Sequence, residues 1–182
     1  MKSKSLALVW GLVSLLWISS CRIPPNIDPE TLYGKWKILQ FTSSLKEASA
    51  PEITKEKDYT AEVIYFDFRS NGSFATNSDL GLSTLLIKAG PEKVGSFTYA
   101  DVNNTYKIYV SVYDPVIKGD AELTFVVTDA DTPNPKLTIN TADYKESLTN
   151  SANGLATEYK NAILQFSNNI TQADFVWKFE KL

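Results

Sequence analysis

Apolar and polar positions alternate along most of the chain after residue 33. In AEVIYFDF, residues 61–68, Ile64, Phe66 and Phe68 fall on one side and Tyr65 and Asp67 on the other. Period two marks a half-buried strand, because successive side chains point to opposite faces. Asn71-Gly72 follows, a pair suited to a tight hairpin because both residues reach positive φ readily, and Phe74 opens the returning strand. VGSFTYADVNNTYKIYVSVY repeats the scheme. Phe97 and Tyr99 precede a polar turn over Asp101–Thr105, and Tyr106, Ile108, Val110 and Val112 then alternate with Lys107, Tyr109 and Ser111. AELTFVVTDADTPNPKLTIN gives a third hairpin, with Leu123, Phe125 and Val127 in phase and Leu137 and Ile139 beyond the loop Asp129–Pro135. That loop holds two prolines, which do not fit a central strand. AILQFSNN and ADFVWKFEKL read as closing strands, the latter with Phe175, Trp177 and Phe179 alternating. Strands recurring every 8–12 residues or so, with polar turns between, predict an antiparallel all-β fold.

Three stretches break the pattern. Residues 44–59 are charged and read as a loop with room for one helical turn. Residues 79–90 place Leu82, Leu85, Leu86 and Ala89 at helical spacing, which predicts a short helix stopping at Gly90. Residues 142–158 are polar and have no clear period.

The N-terminus has a different character. Lys2 and Lys4 precede an uncharged, mostly apolar run over residues 5–18. A membrane-spanning helix needs about 20 apolar residues, so this run suits a secretory signal better. It ends in ISSC, similar to the lipobox of bacterial lipoproteins, and Cys21 is the only cysteine in the chain. The expectation is a signal peptide over residues 1–20, lipid attached to Cys21, and a proline-rich extended spacer over residues 21–32. Multiple acyl chains on Cys21 would hold the domain firmly at a membrane, since each buried methylene contributes about 0.8 kcal/mol. The place expected is the bacterial cell envelope, on the periplasmic or the exposed side of the outer membrane.

Residues 33–182 then form one domain, long enough to bury roughly two-thirds of its unfolded surface without a disulfide. Without Lys2 and Lys4 the chain carries 16 basic and 21 acidic side chains, a net charge of −5. That balance gives no electrostatic basis for nucleic-acid binding. The chain has no histidine, which removes Ser-His-Asp and Cys-His nucleophiles and imidazole metal sites. DADTPN, residues 129–134, lacks the glycine and terminal glutamate of a calcium loop. The Asp residues fall mainly at turns or outer faces, and no glycine-rich phosphate loop is present. No metal, cofactor or catalysis is expected.

An open sheet leaves edges that template aggregation, and barrel closure removes them. Closure would set the first strand, with Trp36, beside the last, with Trp177. Gly34 would allow a sharp entry or close backbone approach, and the indole of Trp36 would plug that end. LYGKWKI resembles the Gly-x-Trp motif on the first strand of lipocalins. The lipobox, the spacer, IYFDFRSNGSF and DFVWKFEKL together resemble lipocalin-like lipoproteins of Bacteroidota. The resemblance implies an antiparallel, up-and-down barrel of about eight strands with one or two short helices, often holding a small apolar molecule. The later lipocalin motifs are not evident. Trp36, Phe66, Phe68, Tyr99, Phe125 and Trp177 are the candidate ligand contacts. The same residues suit a filled core equally well, as barrels of this size show both. The alternative role is a surface module that binds glycan or protein through its loops.

Overall fold

The computed structural model describes residues 27–82, 87–103 and 105–182. The expected signal peptide and Cys21 lie outside these residues, as do positions 83–86 of the expected short helix. The strands are β1 (Gly34–Glu47), β2 (Ile53–Asp58), β3 (Tyr65–Phe68), β4 (Ser73–Ser78), β5 (Ala89–Val102), β6 (Thr105–Asp114), β7 (Gly119–Thr128), β8 (Lys136–Ile139) and β9 (Ile170–Lys181), with helices α1 (Thr141–Asn153) and α2 (Thr157–Asn169) between the last two. All pairings are antiparallel. Eight strands run β1-β3-β4-β5-β6-β7-β8-β9 and close through a β1–β9 pairing that extends from Trp36↔Lys181 to Glu47↔Ile170. The molecule is an up-and-down barrel, as the alternation and the resemblance led one to expect.

Its two ends differ. We call the end holding the β3–β4, β5–β6 and β7–β8 turns the near end, and that holding the β6–β7 turn and the helices the far end. Residues 29–32, expected within an extended spacer, form a 3-10 turn capped by the Asp28 carboxylate on Glu30 N–H, and Leu32 is fully buried. Gly34 then enters β1 at φ +124°, a region closed to most side chains. An added Cβ there would meet nothing within 4 Å, so the glycine serves the bend and not a close approach. Trp36 is fully buried and meets the rings of Phe68 (5.0 Å between centroids) and Phe179 (5.7 Å). The Lys181 ammonium lies 5.5 Å from the Trp36 ring centroid and donates to the Thr31 and Ala130 carbonyls. Burial lowers its pKa.

Five local expectations are corrected. Residues 44–59 are the end of β1 and the extra strand β2, which pairs with β1 from Gln40↔Asp58 to Leu45↔Ile53. Its sequence, ITKEKD, is almost wholly exposed, and a charged outer strand discourages further pairing. The turn after β3 takes in Arg69–Gly72, with Gly72 N–H donating to the Arg69 carbonyl, and only Gly72 of the Asn-Gly pair has positive φ (80°). Gly90 lies in β5 and ends no helix. The polar stretch beginning at 142 is α1, capped by the Asn140 side chain, which accepts from Ala142 and Asp143 N–H. AILQFSNN is the second half of α2 and not a strand. Starting the reading at Ala162 hides Tyr159, which stands with Ala162, Ile163 and Phe166 at i, i+3, i+4 and i+7, the spacing of one helical face.

Helix α1 completes the barrel wall. The short strand β8 pairs with β7 only over Val126–Thr128, leaving the β7 backbone open beyond. Ser147 Oγ accepts from Thr124 N–H (2.9 Å) and Ser151 Oγ from Glu122 N–H (2.8 Å). One helical turn rises about 5.4 Å and two strand residues about 6.6 Å, so serines four apart match amides two apart. On the other side, Thr141 Oγ1 accepts from Ala173 N–H of β9 at 2.9 Å. The inner face of α1 buries Tyr144, Leu148 and Ala152.

Candidate functional site

The inward faces of the strands supply an unusually ring-rich interior. Phe66 meets Phe68, Phe74, Phe125 and Phe179 at centroid distances of 5.3–6.4 Å, Phe125 meets Trp177 at 5.4 Å, and Phe68 meets Phe97 at 5.1 Å. These rings are at most 5% exposed. Edge-on and tilted contacts at these distances are the preferred geometries of aromatic packing. Of the six candidate contacts, Trp36, Phe66, Phe68, Phe125 and Trp177 therefore come together as one packed cluster. Beside it, Leu80, Leu82, Leu123, Ile139, Tyr144, Phe175 and Trp177 line a space of about 20 Å³. That is room for roughly one water molecule. Trp177 Nε1 is buried without an acceptor among the described residues.

Tyr99 is the exception. It shares the inner face with Phe97, but at the near-end rim, and is 38% exposed. Its ring stacks on Tyr106 at 5.9 Å and 18°. A hydrogen bond with Tyr99 raises the Tyr33 pKa, and burial raises that of Tyr106. A cleft of about 570 Å³ lies alongside, lined by Ile27, Asp28, Asp101, Tyr106, Asp129, Asp131 and their neighbours. Four carboxylates, Asp28, Asp101, Asp129 and Asp131, stand there among Ile27, Val126, Val127 and Ala130, and Asp129 is already paired with Lys136 at 2.8 Å. Among the described residues, no three His, Cys, Asp or Glu side chains gather to hold a metal, and no helix is long and apolar enough to cross a membrane.

The far end is different in chemistry. Helix α2 crosses it. It begins just after Leu155, which packs over Gly119 at the β6–β7 turn, and ends where the Asn169 carbonyl accepts from Ala48 N–H at the end of β1. Of its thirteen residues only Ser167 is buried. Tyr159, Ala162, Ile163 and Phe166 on α2 face Leu82, Val116, Ile117 and Leu148 across a groove of about 290 Å³. Each lining residue has an apolar side chain or ring, and Val116 is 63% exposed. Beneath, the buried Tyr144 hydroxyl donates to the Leu82 carbonyl at 2.8 Å, fixing the α1 wall to the segment that bounds the groove. Burial pushes the Tyr144 pKa far up, so it stays neutral.

The groove residues were absent from the sequence candidates. The i, i+3, i+4, i+7 face of α2 was the available signal. The residues facing it come from three separate places, Val116 and Ile117 from the β6–β7 turn, Leu148 from α1 and Leu82 from the stretch after β4, which only the fold brings together. At the groove, the Lys118 ammonium lies 5.8 Å from the Tyr159 ring centroid and the Asp114 carboxylate accepts from Leu82 N–H at 3.1 Å. Farther off, Lys107 pairs with the buried Asp143 at 2.6 Å, and this hydrogen bond raises the lysine pKa. That pair joins α1 to β6 and stands apart from the groove lining.

No protein-family profile and no curated protein matches the sequence. Among solved structures, the chain is similar to a polyisoprenoid-binding domain from Saccharophagus degradans implicated in plant cell wall breakdown. The two are 9% identical, with 81% of this chain and 98% of that one covered and a TM-score of 0.34.

Proposed function

We propose that the protein is a non-catalytic binding module of the lipocalin-like lipoprotein kind, held in the bacterial envelope through lipid on Cys21, and that it takes a small apolar molecule in the groove beneath α2. The groove carries this reading: about 290 Å³ bounded by apolar side chains, close to the lower size of small-molecule sites. The barrel centre does not serve, because its rings already fill it. Covering Val116 and the α2 face removes apolar surface from water at about 25 cal/mol per Å².

An acyl-free domain should bind N-phenylnaphthylamine with a rise in fluorescence. Ala162→Trp fills the groove and should weaken binding at least tenfold, whereas Phe125→Leu, in the packed centre, should leave affinity unchanged. If Ala162→Trp binds as well as the parent, the groove is not the site.

A second reading is favoured by one observation, the rim-exposed Tyr99 stacked on Tyr106 beside Tyr33. Such a platform suits the face of a sugar or a partner's side chain. Glycan retention by the acyl-free domain, lost in Tyr99→Ala and kept in Ala162→Trp, would move the function to the near end.

A further inference from the structure

The two ends of the barrel stand in a fixed relation to the point where the chain would meet its membrane. Ile27 lies at the near end, sharing its cleft with Asp101, Thr105 and Asp129. The groove lies at the far end, with Val116 and Ile117 of the β6–β7 turn. β6 and β7 are ten residues long each and run between these ends. At about 3.4 Å per residue and a tilt near 40°, they separate the ends by about 25 Å. Helix α2 adds a layer about 10 Å thick beyond them.

The link to the membrane is shorter than that. Six residue steps separate Cys21 from Ile27, and a chain spans at most about 3.6 Å per residue, so the link reaches about 20 Å. Turning the groove toward the bilayer would require Ile27 to stand at least about 25 Å off its surface, beyond that reach. The net charge of −5 on the mature chain supplies no overall attraction to an anionic bilayer.

We infer that the groove faces away from the membrane that anchors the protein, so that its apolar occupant arrives through water and is not drawn from the anchoring bilayer. The inference rests on the groove and Cys21 readings given above. A short link excludes the groove-down pose by length alone, with no docking contact needed. It assigns the partner a chemistry: a sparingly soluble small molecule free in the aqueous compartment, in contrast to a membrane lipid.

The test uses the full, lipidated chain in phosphatidylcholine vesicles carrying a nitroxide on the headgroup. A fluorescent label is placed by Val116→Cys at the groove rim or by Asn134→Cys in the near-end β7–β8 loop, both exposed. The nitroxide should quench the label at 134 at least threefold more than that at 116. Equal quenching, or stronger quenching at 116, overturns the inference. N-phenylnaphthylamine binding by the acyl-free parent and Ala162→Trp domains, measured beside it, keeps the two ideas separate. Loss of the quenching difference with groove binding intact rejects the orientation alone. An intact difference without groove binding rejects the proposed function, and with it the aqueous ligand.

Discussion

At the scale of single residues, conformation and ionisation decide as much as the neighbours a side chain touches. Gly34 touches little, yet its φ of +124° carries the chain from the 3-10 turn into β1. Gly34→Ala should cost about 1–3 kcal/mol in denaturant unfolding, since the strain is in the backbone and no neighbour can relax to relieve it. Tyr59 is buried with its hydroxyl on the Ile87 carbonyl, and burial pushes its pKa up to about 12. A raised pKa means the neutral form is favoured in the folded state. Its stabilisation is complete below the unfolded tyrosine pKa of about 10 and is lost as pH rises through about 12. Tyr144 acts in the same direction. Melting temperature should hold steady with respect to these two groups up to pH ~10 and then fall, and Tyr59→Phe with Tyr144→Phe should flatten that fall. With no histidine in the chain, no imidazole adds a transition near neutrality. Trp36 and Gly34 were legible in the sequence as an entry and a plug. The Lys181 contact with Trp36 was not, because the two are 145 positions apart and only barrel closure joins them.

At the scale of elements, α1 works as a strand substitute. Ser147 and Ser151 each accept from a β7 amide and donate to the carbonyl one turn back in their own helix. Ser147→Ala leaves the buried Thr124 N–H unpaired and should cost about 1–3 kcal/mol, with a similar loss for Ser151→Ala. Hydrogen exchange at Thr124 and Glu122 reports the same event: protection should drop at the partner amide first. These serines also explain why α1 was hard to read. A helix packed against an open strand edge wants hydroxyls where most helices carry leucines, so its buried face looks polar in sequence. The strands were legible because their inward positions are aromatic and their outward ones charged or hydroxylated. Even there, a bulge between Ile38 and Gln40 shifts the inward phase of β1 from Trp36 and Ile38 to Phe41, Ser43 and Leu45. Strict alternation cannot anticipate such a shift. β2 was lost to its charge, since an outer strand that covers no core carries no apolar period.

At the scale of the whole molecule, the barrel joins a solid, aromatic interior to two unlike ends. The interior sets stability. Phe125, fully buried between Phe66 and Trp177, should cost about 3–5 kcal/mol when cut to alanine, and the loss is read as a lower denaturation midpoint. The fold class was legible because closure follows from strand number and edge avoidance. Whether the closed barrel is hollow was not, since the alternation of Phe66, Phe68, Phe125 and Trp177 is the same for a lined cavity and a packed core. Ring-to-ring distances decide that, and they show the centre packed, so the proposed site is the groove under α2. The most direct measurement is an amide and methyl NMR titration of the acyl-free domain with N-phenylnaphthylamine. Shifts concentrated on Val116, Ile117, Leu148 and Ile163, with the rings of Phe66, Phe68 and Phe125 undisturbed, are the predicted result. Contacts from the fluorophore to those interior rings would show an opening in the centre and contradict the account.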